Sequence, residues 1–309
     1  MSDPLLLSDA LQGFYMARRA DGYSPDTIEQ YSWALSKWIL FMGDKDVHDC
    51  SLEDGRRFIV HTQGTNLSPA SVFHIWKALR SFYKWAVPEL GVNNVMANLH
   101  QPPYQHKEIS PLSNGEIDKL LSAAVVVGTA NGSVSYEYRH PQADRNRLVI
   151  LLMLDTGVRV GELARLNVDD VNMDTCEIAV RPYRSSLKSR PRSVYFGKRT
   201  QKELWKYLLN REGVKNDPLL LSTYERRMSA DAIKHLVRRI SLRAGVPAHP
   251  HSFRHTFAIE YLRNNGDIFT LQRLLGHSSL EMVRYYLALA NSDMEAAHRR
   301  ASPVDNWRL

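Results

Sequence analysis

The sequence predicts a mainly α-helical protein of two domains, the second of which carries a small β-sheet. Three observations lead to this fold class. The chain has 309 residues, which is long for one compact domain. Apolar residues recur at three- and four-residue steps, the period of an amphipathic helix. Two short runs, Cys176–Val180 and Arg192–Phe196, have the composition of strands.

The first hundred residues predict a small helical bundle. Ser24-Pro25 and Ser68-Pro69 each join an N-cap residue to a proline at the first helical position. The helix after Ser24 should end at Gly43, and the helix after Ser68 should stop at Pro88. Shorter helices are predicted over 5–19 and 51–61. The apolar stripes of the two longer helices should form the core: Ile28, Tyr31, Leu35, Trp38 and Met42, then Val72, Ile75, Leu79, Phe82 and Ala86.

The stretch before Ser113 predicts a linker. It contains three prolines among polar residues, which exclude a continuous helix. We therefore expect a helical domain over 1–102, a linker over 103–111, and a second domain over 112–309. Ser113 and Glu116, in capping-box spacing, begin its first helix. Polar, glycine-bearing residues 128–146 predict a long surface loop, and apolar residues 148–154 a buried helix.

Charge favours a polyanionic partner. The chain has 40 basic and 33 acidic side chains, a net charge of +7. Residues 1–107 hold 10 basic and 11 acidic side chains, and residues 108–309 hold 30 and 22. Such a surplus suits DNA, although a generically basic protein explains it equally well.

Several other classes of protein do not fit the sequence. No stretch approaches the roughly 20 apolar residues of a membrane span, and the N-terminal residues lack the features of a targeting signal. Two cysteines are too few for a disulfide framework or a cysteine zinc site. No strand–glycine–helix phosphate loop is present. We expect a cytoplasmic protein without membrane contact.

Two segments of the second half carry cations suited to phosphate binding. In TGVRVGELARL, 156–166, Arg159 lies where a helix would begin, so that its guanidinium and the helix N-terminus can share a phosphate. A surface ion pair from Arg159 to Glu162 is the plainer interpretation. In SSLKSRPR, 185–192, Lys188 lies between the two predicted strands, where it could protonate a leaving oxygen or simply face solvent.

Two later segments add histidines, an arginine and tyrosines. In HPHSFRHTFAIEYL, 249–262, His251 and Arg254 share a helix face because they are three residues apart. In LLGHSSLEMVRYYLALA, 274–290, His277 lies in a turn after Gly276, and Tyr286 follows it by nine residues.

Together the four segments resemble the tyrosine recombinase family, the phage-type integrases that include the Xer resolvases. In that family an arginine follows a TG pair and precedes an xxEL segment, and a lysine lies on a β-turn. An HxxRH box then begins a buried helix, and an LGHS box precedes the tyrosine. The resemblance covers most of 108–295. It implies that 1–102 is a helical core-binding domain that clamps DNA, and that 112–309 is the catalytic domain.

The resemblance implies a site-specific recombinase or integrase that cleaves and rejoins DNA. Tyr286 would attack the scissile phosphate and form a 3′-phosphotyrosyl link, and Lys188 would protonate the departing 5′ oxygen. Arg159 and Arg254 would hold the non-bridging oxygens. Three further residues would assist: His251 in proton transfer, His277 on the phosphate, and Glu162 in orienting a basic residue.

The resemblance also implies partners. The covalent link conserves bond energy, so neither ATP nor a metal cofactor is needed. The substrate would be double-stranded DNA with specific recombination sites. Four protomers would assemble on two sites and pass through a Holliday junction, while the free protein would be a monomer or weak dimer. We expect the tyrosine to act in cis. On the first domain, Lys77, Arg80 and Lys84 would track phosphates or form a solvated helix face.

The sequence departs from the family pattern at two places. Lys188 precedes Arg192 by four residues, and the familiar spacing is one longer, so Arg184 or Arg190 could shape the same turn. Tyr285 adjoins Tyr286. Adjacent helical positions point about 100° apart, so only one of them can face the arginines, and the spacing from His277 favours Tyr286.

Three alternatives remain at this level. A type IB-like topoisomerase shares the chemistry but relaxes supercoils as a monomer. A non-catalytic DNA-binding regulator could keep the same fold. A metal-dependent nuclease would need the acidic ligand cluster that the sequence lacks. The sequence does not specify the target site or the biological role, whether phage integration, mobile-element transfer or chromosome resolution.

Overall fold

The computed structural model describes residues 4–103, 110–131, 134–181, 191–209, 211, 217–276, 283, 286–287, 298–299 and 302–307. The chain forms two compact units, Met1–Glu108 and Ile109–Leu309, and each has a hydrophobic core of its own. The predicted fold class is confirmed: the described residues are mostly helical, and the second unit has a small antiparallel sheet. The boundaries 1–102, 103–111 and 112–309 stay a prediction.

In the described part of the first unit there are four α-helices, and the last three begin at a serine that caps them. Their bounds are α1 Leu7–Ala20, α2 Pro25–Met42, α3 Leu52–Gln63 and α4 Pro69–Leu90. The Ser24 hydroxyl accepts a hydrogen bond from the Thr27 N–H, and Ser51 forms a capping box with Asp54. These side chains satisfy backbone donors that the first helical turn leaves free.

The sequence predicted that the helix α4 would stop at Pro88. This prediction was wrong, because the helix continues to Leu90. Gly91 ends it with a left-handed φ of 67°, and its N–H donates to the Val87 carbonyl. Proline removes one backbone donor, and this loss is small where the helix is about to end. The glycine, not the proline, therefore sets the end of the helix.

The core of the first unit is rich in aromatic rings. Trp38 and Phe58 meet edge to face with centroids 5.0 Å apart, and Phe14 and Phe82 do so at 5.7 Å. All four side chains are buried. Such pairs add about 0.5–1.5 kcal/mol each beyond the burial of their area.

The second unit contains an antiparallel hairpin where the composition predicted a loop. Its strands are β1 Val126–Asn131 and β2 Val134–Arg139, paired from Val126 with Arg139 to Asn131 with Val134. The polar composition of 128–146 hid an alternation of β-branched and aromatic residues around an Asn-Gly pair, which is a hairpin signal. The loop prediction was wrong over these strands.

Among the described residues, the rest of the second unit contains helices and a three-stranded sheet. The sheet has the order β3 Val171–Asn172, β4 Glu177–Val180 and β5 Arg192–Tyr195, all antiparallel. The helices are α5 Asn114–Val125, α6 Ala143–Thr156, α7 Val160–Leu163, α8 Lys198–Leu209, α9 Ala230–Ala244, α10 Pro250–Arg263 and α11 Ile268–Leu275, followed by a turn of helix over Pro303–Asn306.

The helix α6 lies at the centre of this unit, and α10 packs against it. Leu148, Leu152 and Phe253 are fully buried in the shared core. A second apolar cluster lies beyond α10, where Ala258, Ile259, Leu271, Leu275 and Val283 surround the ring of Tyr286. The two clusters fix α10 on both sides, so polar groups on its first turns are held rigidly.

Among the described residues, no helix is both long and apolar enough to span a membrane.

Candidate active site

The turn between α6 and α7 is built on Gly157. Its φ is 62°, in the left-handed region that glycine adopts without strain. A Cβ at this position would overlap the ring of Phe257 on α10, so a side chain is also excluded by contact. The close approach brings the Gly157 carbonyl to α10, where it accepts a hydrogen bond from Arg254.

Arg159 is the N-cap residue of α7. Its backbone N–H donates to Oε2 of Glu162 at 2.8 Å, and its Nη1 donates to Oε1 at 3.2 Å. The ion pair that the sequence suggested is therefore present. The side chain of Arg159 is still 31% exposed, so its guanidinium can take a second, external anion.

Glu162 is buried and binds two arginines. Arg192 of β5 donates to both carboxylate oxygens, at 2.9 and 2.7 Å, and Arg159 donates from the other side. Burial opposes ionisation, but the hydrogen bonds and charge of Arg192, with the help of Arg159, outweigh it and lower the pKa of Glu162 to about 2. Glu162 is thus ionised at neutral pH and orients both guanidiniums.

Arg254 is buried on the second turn of α10. Its Nη1 donates to the Gly157 carbonyl at 2.5 Å and its Nη2 donates to the Leu275 carbonyl at 2.7 Å. Burial and the charge of Arg159 lower the pKa of Arg254 to about 9, which still leaves it charged at neutral pH. The guanidinium is thus fixed between the α6–α7 turn and the end of α11.

Tyr286 lies against the next residue of α10. Its hydroxyl is 2.7 Å from Nδ1 of His255, and the Tyr286 residue is 1% exposed. His251 lies one turn earlier, with its ring centroid 6.3 Å from that of His255. Partial burial and the nearby His249 and Arg254 lower the pKa of His251. The phenol therefore lies beside a row of imidazoles.

The structure brings Arg159, Glu162, Arg254, His251 and Tyr286 into one region of the second unit. This convergence is visible in the electrostatics, because Arg159, Glu162 and Tyr286 all act on the ionisation of Arg254. Lys188, His277 and the alternatives Tyr285, Arg184 and Arg190 lie outside the described residues.

The three cations predicted to contact DNA lie in the first unit. Lys77, Arg80 and Lys84 are exposed on α4 at spacings that place them on one face. Lys77 lies over the ring of Phe73 and Arg80 over the ring of Trp76. In both contacts the charged group itself lies over the aromatic face, which holds the two side chains along the helix.

Two residues of the site were not selected from the sequence. Arg192 appeared as the start of a strand and as the reference for the spacing of Lys188, and its contact with Glu162 spans 30 residues. His255 appeared only as the last letter of the HxxRH box, and its contact with Tyr286 spans 31 residues. Both are tertiary contacts, and the helical or strand periodicity of a sequence does not predict contacts between distant residues.

Curated relatives match nearly the whole chain. The tyrosine recombinase XerA of Thermococcus kodakarensis is 27% identical, covering 99% of this chain and 98% of the relative. The tyrosine recombinase XerC of Salmonella typhi is 28% identical, covering 90% of this chain and 91% of the relative.

Solved structures share the fold. A lambda integrase dimer bound to a COC' core site has a TM-score of 0.70 at 18% identity, covering 92% of this chain and 77% of that chain. A lambda integrase tetramer bound to a Holliday junction has a TM-score of 0.69 at 18% identity, covering 90% and 79%.

Family models match both units. The model of the phage integrase N-terminal SAM-like domain matches residues 10–90, and the phage integrase family model matches residues 116–293. The second match covers more than half of the chain and includes the α6–α7 turn, α10 and Tyr286. The chain belongs to the phage integrase family.

Proposed function

We propose that this protein is a site-specific DNA recombinase that cleaves and rejoins DNA through Tyr286. The observation that carries the proposal is the position of α10. Arg254 on this helix is fixed to the turn that presents Arg159, and the next residue, His255, binds the Tyr286 hydroxyl. Its relatives XerA and XerC, named tyrosine recombinases, support the same activity.

The charges of the site suit a phosphodiester. Three guanidiniums, those of Arg159, Arg192 and Arg254, face one carboxylate, that of Glu162, among the described groups. The surplus of positive charge attracts a phosphate and stabilises the additional negative charge of a pentacovalent transition state. Arg159 and Arg254 would bind the non-bridging oxygens, while Glu162 keeps Arg159 in place.

Attack by the Tyr286 oxygen forms a bond to phosphorus and releases the 5′ oxygen, leaving a 3′-phosphotyrosyl link. The reverse reaction with a 5′ hydroxyl of another strand rejoins the DNA. Lys188 would protonate the departing oxygen, His251 would assist proton transfer, and His277 would hydrogen bond the phosphate. The roles of these three residues follow from the family resemblance.

The proposed partner is double-stranded DNA bearing specific sites, clamped by both units. The structurally similar lambda integrase forms a tetramer on a Holliday junction, and the same assembly is the proposal for this chain. The cytoplasmic location stays a prediction.

A covalent capture experiment tests the proposal and selects the target sequence at the same time. A library of nicked duplexes with randomised centres is incubated with the protein, and adducts that survive denaturation are sequenced. In such suicide substrates the short released strand diffuses away, so the covalent link accumulates. Wild type should capture related sequences, and Tyr286→Phe should capture none.

The matched variant Tyr285→Phe should retain capture. If the adduct survives in Tyr286→Phe and disappears in Tyr285→Phe, the nucleophile is misassigned. If wild type forms no adduct but binds the library, the protein is a binding regulator. Relaxation of a supercoiled plasmid that lacks any captured sequence would instead indicate a topoisomerase.

A further inference from the structure

His255 offers a ring nitrogen to the reacting atom of the proposed reaction. Its Nδ1 lies 2.7 Å from the Tyr286 oxygen, with the ring centroids 5.6 Å apart. This is the distance of a strong hydrogen bond to a hydroxyl. His255 follows Arg254 directly, so the same turn of α10 that holds the phosphate-binding guanidinium also holds the phenol.

The environment of His255 keeps the imidazole neutral. Burial and the charges of His251, His249 and Arg254 lower the pKa of His255 to about 4. These three groups lie on its own helix or just before it, and Tyr286 faces it from the other side. At neutral pH the ring therefore carries one proton. With that proton on Nε2, Nδ1 presents a lone pair to the Tyr286 hydroxyl.

We propose that His255 is a catalytic residue that accepts the proton of the Tyr286 hydroxyl as the phenol attacks the scissile phosphate. The inference rests on the proposed recombinase function. The O–H bond of Tyr286 breaks and its proton moves to Nδ1, while the oxygen lone pair forms the bond to phosphorus. The bond from phosphorus to the 5′ oxygen breaks, and that oxygen is protonated from the opposite side. In rejoining, His255 returns the proton to Tyr286.

DNA strengthens the base at the moment when it is needed. Burial, then the neighbouring His251 and His249, disfavour a protonated His255 most, and Arg254 adds a smaller contribution that a bound phosphate would neutralise. A bound phosphate therefore raises the affinity of His255 for a proton. The Tyr286 side chain is buried in the structure. The covering side chains must separate before the phosphate can enter, and the contact with Nδ1 must persist through this opening.

The assignment differs from the role that the sequence suggested for His251. Both histidines lie on one face of α10 at a spacing of four residues. The later one, His255, forms the described hydrogen bond with the Tyr286 hydroxyl. His251 lies on the first turn of α10, and its ring centroid is 6.3 Å from that of His255.

A pH series separates proton acceptance from positioning. Single-turnover cleavage of a captured nicked duplex is measured from pH 6 to 9 for wild type, His255→Ala and His255→Asn. Asparagine can keep a hydrogen bond to the phenol but cannot take its proton. Both variants should be slower at pH 7 by about 10²–10⁴-fold, the usual contribution of a general base. Their rates should then rise by up to about tenfold per pH unit, because an unassisted phenol, whose pKa in free tyrosine is near 10, must lose its proton before it attacks.

The deficit of both variants should therefore shrink as the pH rises. A deficit that is the same at every pH, wild-type rates in His255→Asn, or faster cleavage in His255→Ala would each overturn the proposal. His235→Ala, which alters an exposed histidine of α9, serves as the matched control and should cleave like wild type. Thermal unfolding of each variant checks that it is folded.

A second substrate locates the defect in the reaction. A duplex with sulfur in place of the bridging 5′ oxygen has a leaving group that needs no proton. The sulfur substrate should leave the His255→Ala deficit in place, because the attack is still unassisted. Full rescue by sulfur would place His255 on the leaving-group side and overturn the inference. In both experiments wild type must form its adduct through Tyr286, so failure of the proposed function is seen separately.

Discussion

At the scale of single residues, Gly157 is constrained twice. Its backbone is left-handed, and Phe257 occupies the space of a side chain. We expect Gly157→Ala to lower the free energy of unfolding by about 2–5 kcal/mol, since a left-handed alanine costs about 1–2 kcal/mol and overpacking a further 1–3 kcal/mol. Urea unfolding at pH 7 measures the change.

The double variant Gly157→Ala with Phe257→Leu separates the two constraints. A smaller side chain at 257 relieves the contact but not the backbone strain, so part of the loss should return relative to Phe257→Leu alone. If the two substitutions are additive, the contact with Phe257 is not the source of the loss.

Arg254 has a binding role that lysine cannot reproduce. Its guanidinium donates to two carbonyls on different elements and would also bind phosphate, while lysine has a single nitrogen. We expect Arg254→Lys and Arg254→Ala to bind the captured duplex within about threefold of wild type, because many other contacts hold the backbone. Cleavage should fall by about 10²–10³-fold or more, the usual result of removing one transition-state donor.

Gel shift and single-turnover cleavage on the same duplex measure the two quantities. Arg159→Ala should behave in the same way, since its partly exposed guanidinium would bind the same phosphate in the proposed site. Normal cleavage by either variant would remove that arginine from the proposed site.

At the scale of elements, Glu162 and Arg192 join three pieces of the second unit. Glu162 belongs to α7 and Arg192 to β5, and Nε of Arg192 donates to the Leu274 carbonyl of α11 at 2.6 Å. Removing one partner leaves the other buried without compensation, which costs about 3–5 kcal/mol. We expect Glu162→Gln to lose stability of this order at pH 7, measured by urea unfolding.

The loss in Glu162→Gln should depend on pH. The pKa of Glu162 is lowered from 4.5 in the unfolded chain to about 2 in the folded protein. Its contribution is therefore complete above pH 5 and fades as the pH falls through the folded value. The stability difference between wild type and Glu162→Gln should shrink steadily from pH 5 to pH 2. A constant difference would show that packing, not charge, holds the three elements together.

Local signals in the sequence were enough to predict many helix starts. Ser24, Ser51 and Ser113 cap their helices through contacts within three residues, so the pattern contains the whole interaction. Pro88 was misleading because the effect of proline depends on how far the helix still has to run. The β1–β2 hairpin was missed because the prediction relied on the polar composition of the segment and not on the alternation of its β-branched and aromatic residues.

The sequence motifs of the candidate site could be predicted, but the hydrogen bonds that join their residues could not. In the segment HPHSFRHTFAIEYL, His251 and Arg254 could be selected because they are three residues apart on a single helix. Two hydrogen bonds depend on how distant elements pack together: the one between His255 and Tyr286 and the one between Arg192 and Glu162. Such contacts are decided by packing, on which the period of a single helix has no bearing.

At the scale of the whole molecule, charge is divided unequally between the two units. Residues 1–107 have one more acidic than basic side chain, yet Lys77, Arg80 and Lys84 gather cations on one face of α4. If this face tracks phosphates, each cation lost reduces the number of counterions released on binding. The local arrangement of charge, not the sum over the unit, then determines how the first unit contributes to DNA affinity.

The salt dependence of DNA binding tests this division. In the triple variant Lys77→Ala, Arg80→Ala and Lys84→Ala, the slope of log affinity against log salt concentration should become shallower by about 2–3, since each phosphate contact contributes about 0.9. The matched variant Lys37→Ala, Arg56→Ala and Arg57→Ala removes the same charge from α2 and α3, where Arg56 and Arg57 are exposed and Lys37 is half-buried. Its slope should stay close to that of wild type. Equal changes in the two variants would mean that only the net charge matters, and α4 would then be a solvated face.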